Sequence, residues 1–144
     1  MTIPFENVPD DLKSFQCWVT RKGKTPFNPL TGEGAKAGVT STWTSFETAV
    51  NAYLNESYDG IGFEFSNNGI VGIDLDHVRD KKTGLIKPEA DQIVKKLNSY
   101  TEISPSGEGL HIFVYGNIPS SGRKHTKRGI EIYKDKRYFT VTGN

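Results

Sequence analysis

Asp74 and Asp76, spaced two apart in Ile73-Asp74-Leu75-Asp76, are the sharpest chemical feature of this chain. Side chains two apart on a strand share a face, so both carboxylates project together while Ile73 and Leu75 face the other way. Like charges at the end of an apolar strand repel unless a cation stands between them. A divalent metal with oxygen ligands is such a cation, and magnesium uses a few carboxylates together with substrate phosphates. A calcium loop of the EF-hand type is excluded, because its central glycine and closing glutamate are not at the required spacing. Taken alone, the Asp-x-Asp pair also fits a solvent-facing turn.

A second feature is Ser104-Pro105-Ser106-Gly107-Glu108-Gly109-Leu110-His111. Two glycines between strands let backbone N–H groups converge on an anion, with Ser106 as a further donor. His111 opens the next strand on the face of Phe113 and Tyr115. No Gly-Lys-Ser/Thr follows, so this is not a Walker loop. A glycine-rich hairpin with a hydrogen-bonded histidine is the plain structural alternative.

The third feature is Ile130-Glu131-Ile132-Tyr133, an acid among branched apolar residues beside the basic run Arg123, Lys124, His125, Lys127 and Arg128. Arg21, Lys22 and Lys24 form another basic group. Singly, Glu131 reads as an edge-strand acid facing water and the basic groups as solvated loops. Together, three carboxylates, an anion-binding turn, a histidine and flanking base describe a metal–phosphate site.

Elements must hold these residues. Phe15–Thr20 is β-prone, and residues 21–42, rich in Gly, Pro, Thr and Lys, read as loop. Thr44, three residues before Glu47, has capping-box spacing, and Phe46, Ala49, Val50, Tyr53 and Leu54 follow on one helical face. Gly60–Phe65 and Ile70–Asp76 read as a hairpin closed by Ser66-Asn67-Asn68-Gly69. After a polar loop, Pro88 opens a helix carrying Ile93, Val94 and Leu97. Strands follow at Thr101–Ser104, Leu110–Tyr115, Gly129–Tyr133 and Tyr138–Thr142. The short turn Lys134-Asp135-Lys136 is expected to pair the strands of Glu131 and Tyr138, bringing the Tyr138 ring beside the carboxylates; a core aromatic is the alternative. This order predicts an α+β domain with a largely antiparallel sheet and helices packed on one side, and it excludes a regularly alternating Rossmann domain.

Composition narrows the class further. With 35% hydrophobic and 24% charged residues, the 144-residue chain can build a core, which excludes disorder and a collagen-like fibre. No apolar run approaches the ~20 residues of a membrane helix. Acids in MTIPFENVPDDLK argue against a signal peptide. The single cysteine, Cys17, excludes an internal disulfide and a multi-cysteine zinc site. A reducing compartment is expected, the cytoplasm of a bacterium or of a phage-infected host. The net charge of +1 does not announce a nucleic-acid binder, so local clusters carry more information than the total.

IDLD, then SGEGLH, then IEIY followed by RYFTVTG resembles the three motifs of the archaeo-eukaryotic primase superfamily, in family order. The likeness is strongest to the primase–polymerase domains of phage and mobile-element replication proteins. Upstream, Lys24-Thr25-Pro26-Phe27-Asn28-Pro29, Thr31-Gly32, Thr42-Trp43, Phe46-Glu47 and GIGFEF also fit, so the resemblance runs from about Trp18 to the last residue. It implies the primase–polymerase catalytic core, with an RRM-like half carrying the first and third motifs. It also implies one domain over 1–144, with an N-terminal module (1–58) and a motif-bearing core (59–144), forming the N-terminal part of a longer replication protein with a helicase domain.

By that resemblance Asp74 and Asp76 are metal ligands and Glu131, where the superfamily often has aspartate, completes the metal site. Ser106, Gly107, Gly109 and His111 contact the phosphates of an incoming NTP or dNTP. Lys124, Lys127 and Arg128 add positive charge there, and Arg137 and Tyr138 belong to the nucleotide site, Tyr138 against the sugar. Two ions, Mg²⁺ or Mn²⁺ and ~3.5–4 Å apart, would bridge the carboxylates and the triphosphate while a 3′-hydroxyl attacks. Single-stranded DNA template and primer are the implied partners, with no membrane involvement. Two other readings stay open: a non-catalytic nucleic-acid-binding or replication-initiation module, and a metal-dependent nuclease. Intact acids in all three motifs weigh against the first, and the SGEGLH turn weighs against simple hydrolysis.

Overall fold

A computed structural model describes residues 3–125 and 128–144. Among the described residues, nine strands form two antiparallel sheets. The first has the order β2-β1-β3-β9, from Thr25–Phe27, Trp18–Lys22, Gly60–Ser66 and Asp135–Val141. The second has the order β5-β6-β4-β8-β7, from Tyr100–Ile103, Leu110–Tyr115, Ile70–Leu75, Ile130–Tyr133 and Gly122–His125. Three α-helices, α1 (Asp10–Lys13), α2 (Phe46–Asn55) and α3 (Pro88–Leu97), complete the α+β domain.

Each sheet carries its own helix, in place of one sheet with helices on one side. α2 lies on the first sheet, where Phe46 meets Trp18 edge-on with ring centroids 4.8 Å apart. α3 begins at Pro88, whose missing N–H costs nothing in a first turn, and lays Ala90, Ile93 and Val94 on Val71, Ile73, Leu75 and Ile112 of the second sheet. The sheets meet through aromatic rings: Phe65 lies 4.9 Å from Phe139 and 5.8 Å from Phe113 between centroids. At Gly72 a Cβ would collide with the rings of Phe65 and Phe139, so this close approach requires glycine.

Two expected pairings are corrected. β3 and β4 do not form a hairpin: β3 lies between β1 and β9, and β4 between β6 and β8. Asn67 and Gly69 do take positive φ, 56° and 90°, but the turn carries the chain from one sheet to the other. Both strands are buried along almost their whole length, so each needs a neighbour on both edges. The strands of Glu131 and Tyr138 also part, since the chain changes sheets at Lys134, whose carbonyl accepts from Asn67 N–H at 2.7 Å. Tyr138 pairs instead with Glu64.

Local boundaries shift for visible reasons. Ser45, not Thr44, caps α2, accepting from Thr48 N–H at 3.1 Å, because Thr44 is held in a bridge to Trp18. β2 lies inside the stretch read as loop, and the basic run 122–125 forms β7 at the sheet edge.

Candidate active site

One row of side chains crosses the second sheet. Glu102 on β5 is in register with His111 on β6, His111 with Asp74 on β4, Asp74 with Glu131 on β8, and Glu131 with Lys124 on β7. Register partners in an antiparallel sheet share a face, so the five charged or polar groups stand side by side. The opposite face holds Ile73, Leu75, Ile112 and Ile132 against α3. Asp76 lies just past β4, fixed by its N–H to the Gly129 carbonyl at 2.8 Å.

Asp74, Asp76 and Glu131 each offer a ligand oxygen, all within 4.8 Å of one another. Asp74 Oδ1 is buried with no hydrogen-bond partner among the described residues, and His111 Nε2 stands 3.6 Å from it. A buried acceptor without a donor is costly, and a divalent cation between the three carboxylates would satisfy it. The donor set, all carboxylate oxygen, fits a hard ion.

The acids differ in proton affinity. Burial pushes Asp74 up to about 6; His111 opposes this, while the charges of Asp76 and Glu131 add to it. Burial alone would raise Glu131 too, but hydrogen bonds from Tyr133 and Lys124 and the charge of Arg137 outweigh it and hold Glu131 below the usual range. Tyr133 Oη is 2.8 Å from Glu131 Oε1, Lys124 Nζ 3.3 Å and Arg137 Nη2 3.8 Å.

His111 is buried and oriented on both sides. Its Nδ1 lies 3.1 Å from the Thr140 carbonyl, which only accepts, so Nδ1 carries the proton and Nε2 faces Asp74. Its ring stacks on Phe139 at 4.8 Å. Glu102 stands 3.7 Å from Nδ1, its own oxygens held by the N–H groups of Thr142 and Gly143 and the hydroxyl of Tyr100.

The SGEGLH turn differs from expectation. Gly107 N–H donates to the Ser104 carbonyl, Glu108 N–H to Ser106 Oγ and Gly109 N–H to Ser104 Oγ, so these amides close the turn itself and do not converge on an anion. Gly109 is required by packing: a Cβ there would stand 2.8 Å from the Leu75 carbonyl oxygen.

A cavity of about 720 Å³ opens between the sheets. Asp74, Asp76, Ser106, His111, Glu131, Arg137 and Tyr138 all line it. Gly107 and Gly109 shape the turn behind it. Lys124 reaches the site through Glu131, whereas Arg123 is in register with Ile132 and so belongs to the other face. Arg128 is exposed, and Lys127 lies outside the described residues. Sequence reasoning missed Glu64 and Glu102. Glu64, between Phe63 and Phe65, carries the same signal that marked Glu131, an acid among apolar strand residues, whereas Glu102 lies between Thr101 and Ile103.

A DNA primase-polymerase of Nitratiruptor phage NrS-1 is 36% identical to the chain over 141 residues, covering 92% of this chain and 20% of that protein. The chain is a primase–polymerase homologue. The chain spans only 20% of the length of this primase–polymerase. No family model matches it. Among the described residues no helix is long and apolar enough to cross a membrane.

Proposed function

We propose that this chain is the nucleotidyl-transfer domain of a DNA primase–polymerase, joining NTP or dNTP to a 3′-hydroxyl on a single-stranded DNA template. The observation that carries the reading is the convergence of Asp74, Asp76 and Glu131 around a buried, partnerless carboxylate oxygen inside a cavity that both sheets line.

Asp74, Asp76 and Glu131 would hold magnesium or manganese, one ion or two. When bound, the metal supplies positive charge to the triphosphate and acidifies the attacking hydroxyl. The protein's own groups do the rest. Glu131 is kept ionised by Lys124 and Arg137, so it is ready to ligate at neutral pH. His111, with Nδ1 fixed, presents Nε2 toward the carboxylates and whatever phosphate oxygen they gather. The hydroxyl of Ser106, whose oxygen accepts from Glu108 N–H and which lines the cavity, would be the donor on that side in place of the amides of its turn. Tyr138, its hydroxyl donating to the Lys24 carbonyl at 2.6 Å, sets one wall of the cavity where the sugar would lie and so bears on the choice between ribose and deoxyribose. Lys124, Lys127 and Arg128 would serve phosphates.

In this reading the second sheet is the RRM-like half of the catalytic core, residues 1–58 are an N-terminal module on a motif-bearing core of 59–144, and the domain works within a longer replication protein that carries a helicase, in bacterial or phage-infected cytoplasm. The test is primer synthesis on single-stranded DNA, with and without divalent metal. Metal-dependent extension products support the proposal. Degradation of the template would indicate a nuclease, and binding without either product a non-catalytic module.

A further inference from the structure

Glu64 is an acid that the carboxylate cluster does not use. It sits on β3, in the other sheet, opposite Tyr138 of β9, and its N–H is fixed to the Cys17 carbonyl at 2.9 Å. It is 1% exposed and lines the cavity, yet neither carboxyl oxygen has a hydrogen-bond partner among the described residues. Arg21, also on the cavity wall, has a buried Nε–H with no acceptor. Arg21 is in register with Gly60, four residues before Glu64 on β3, and its guanidinium packs over Gly60, so it does not reach Glu64.

A buried acid with no partner is expensive unless something completes it. Once ionised, above about pH 7, the Glu64 carboxylate only accepts, so its partner must donate. Phosphate oxygens accept and are negative, which excludes the triphosphate from this wall and leaves the nucleoside. A template-directed enzyme must take four bases in one place, so a fixed carboxylate cannot select a base edge. The sugar hydroxyl is common to all four nucleotides, and a hydroxyl both donates and accepts. It therefore complements Glu64 whichever base is incoming.

We propose that Glu64 accepts a hydrogen bond from a sugar hydroxyl of the incoming nucleotide. Glu64 is then a specificity-determining residue facing the carboxylate cluster from the opposite sheet. This rests on the nucleotidyl-transfer reading above.

The experiment is calorimetric binding of dGTP, of 2′,3′-dideoxy-GTP and of inorganic tripolyphosphate, each with Mg²⁺, to the whole chain and to Glu64→Leu and Glu64→Gln. The unaltered protein is expected to prefer dGTP over its dideoxy analogue by about ten- to hundred-fold. Glu64→Leu, apolar and of similar size, is expected to erase that preference while tripolyphosphate affinity stays unchanged, and Glu64→Gln, which keeps one acceptor, to retain part of it. A preference that survives in Glu64→Leu overturns the inference. So does a parallel fall in tripolyphosphate affinity, or the failure of both variants to fold, which would assign Glu64 to the phosphate end or to the scaffold. Unaltered protein that binds all three ligands without sugar preference defeats this inference alone. Protein that binds neither nucleotide nor tripolyphosphate defeats the nucleotidyl-transfer reading itself.

Discussion

Replacing Glu64 by glutamine removes a buried charge without changing shape, and the expected consequence is a pH-dependent gain in stability. Burial alone pushes Glu64 from 4.5 up to about 7. The unfolded chain releases this proton near 4.5, whereas the folded protein holds it until about 7. The folded state is therefore favoured at low pH, and that advantage is lost as the pH rises from 4.5 through 7. A shift of this size corresponds to about 3 kcal/mol, or a melting-temperature change of roughly 10 °C in a domain this long. Tyr138 and Cys17 are titratable groups that feel the Glu64 charge, and both are present in both proteins. The assay is thermal denaturation of wild type and Glu64→Gln in metal-free buffer from pH 4.5 to 8. The two melting temperatures should diverge with rising pH, glutamine ahead, and run parallel above about 7. A difference that does not change with pH would refute the reasoning, since Glu64 would then ionise as it does in water.

Asp74→Asn is expected to raise the melting temperature in EDTA above pH 6, because Asp74 is pushed from 3.8 up to about 6 and its ionisation costs the folded state about 3 kcal/mol; added Mg²⁺ should stabilise the wild type and not the variant. Gly72→Ala should destabilise by ~1–3 kcal/mol or more in chemical denaturation, because its methyl group meets the Phe65 and Phe139 rings. Lys124→Ala should lower the salt dependence of single-stranded DNA binding by a slope of ~0.7, while Arg123→Ala, on the opposite face of β7, should leave it unchanged.

Much of the site was legible because strand periodicity is short-range. The two-residue spacing of Asp74 and Asp76, the apolar flanks of Glu131 and the strand start at His111 are all local, and each of these residues lines the cavity. Partners across the sheets were not legible. Asn67 and Gly69 announce a reversal of the chain but not which strands then pair, since that is decided by Phe65, Phe113 and Phe139 packing between the layers. For the same reason Tyr138 was placed beside Glu131 when its register partner is Glu64. The SGEGLH turn shows a different limit. Its composition permits converging amides, but Ser104 and Ser106 are near enough to take those N–H groups themselves. Glu64, between Phe63 and Phe65, carried the apolar-flanked signal that marked Glu131, but no local spacing showed that its strand would face the same cavity from the other sheet.

The most direct measurement is incorporation of a labelled nucleotide on a primed single-stranded DNA template by the wild type and by Asp74→Asn, each with saturating Mg²⁺ or Mn²⁺, after circular dichroism has shown that both are folded. The wild type should extend the primer with either metal or both, and should stop when EDTA is added. Asp74→Asn should show no extension while keeping its fold. Undiminished extension by Asp74→Asn would contradict the assignment of Asp74, Asp76 and Glu131 as the metal-holding centre of a nucleotidyl transferase.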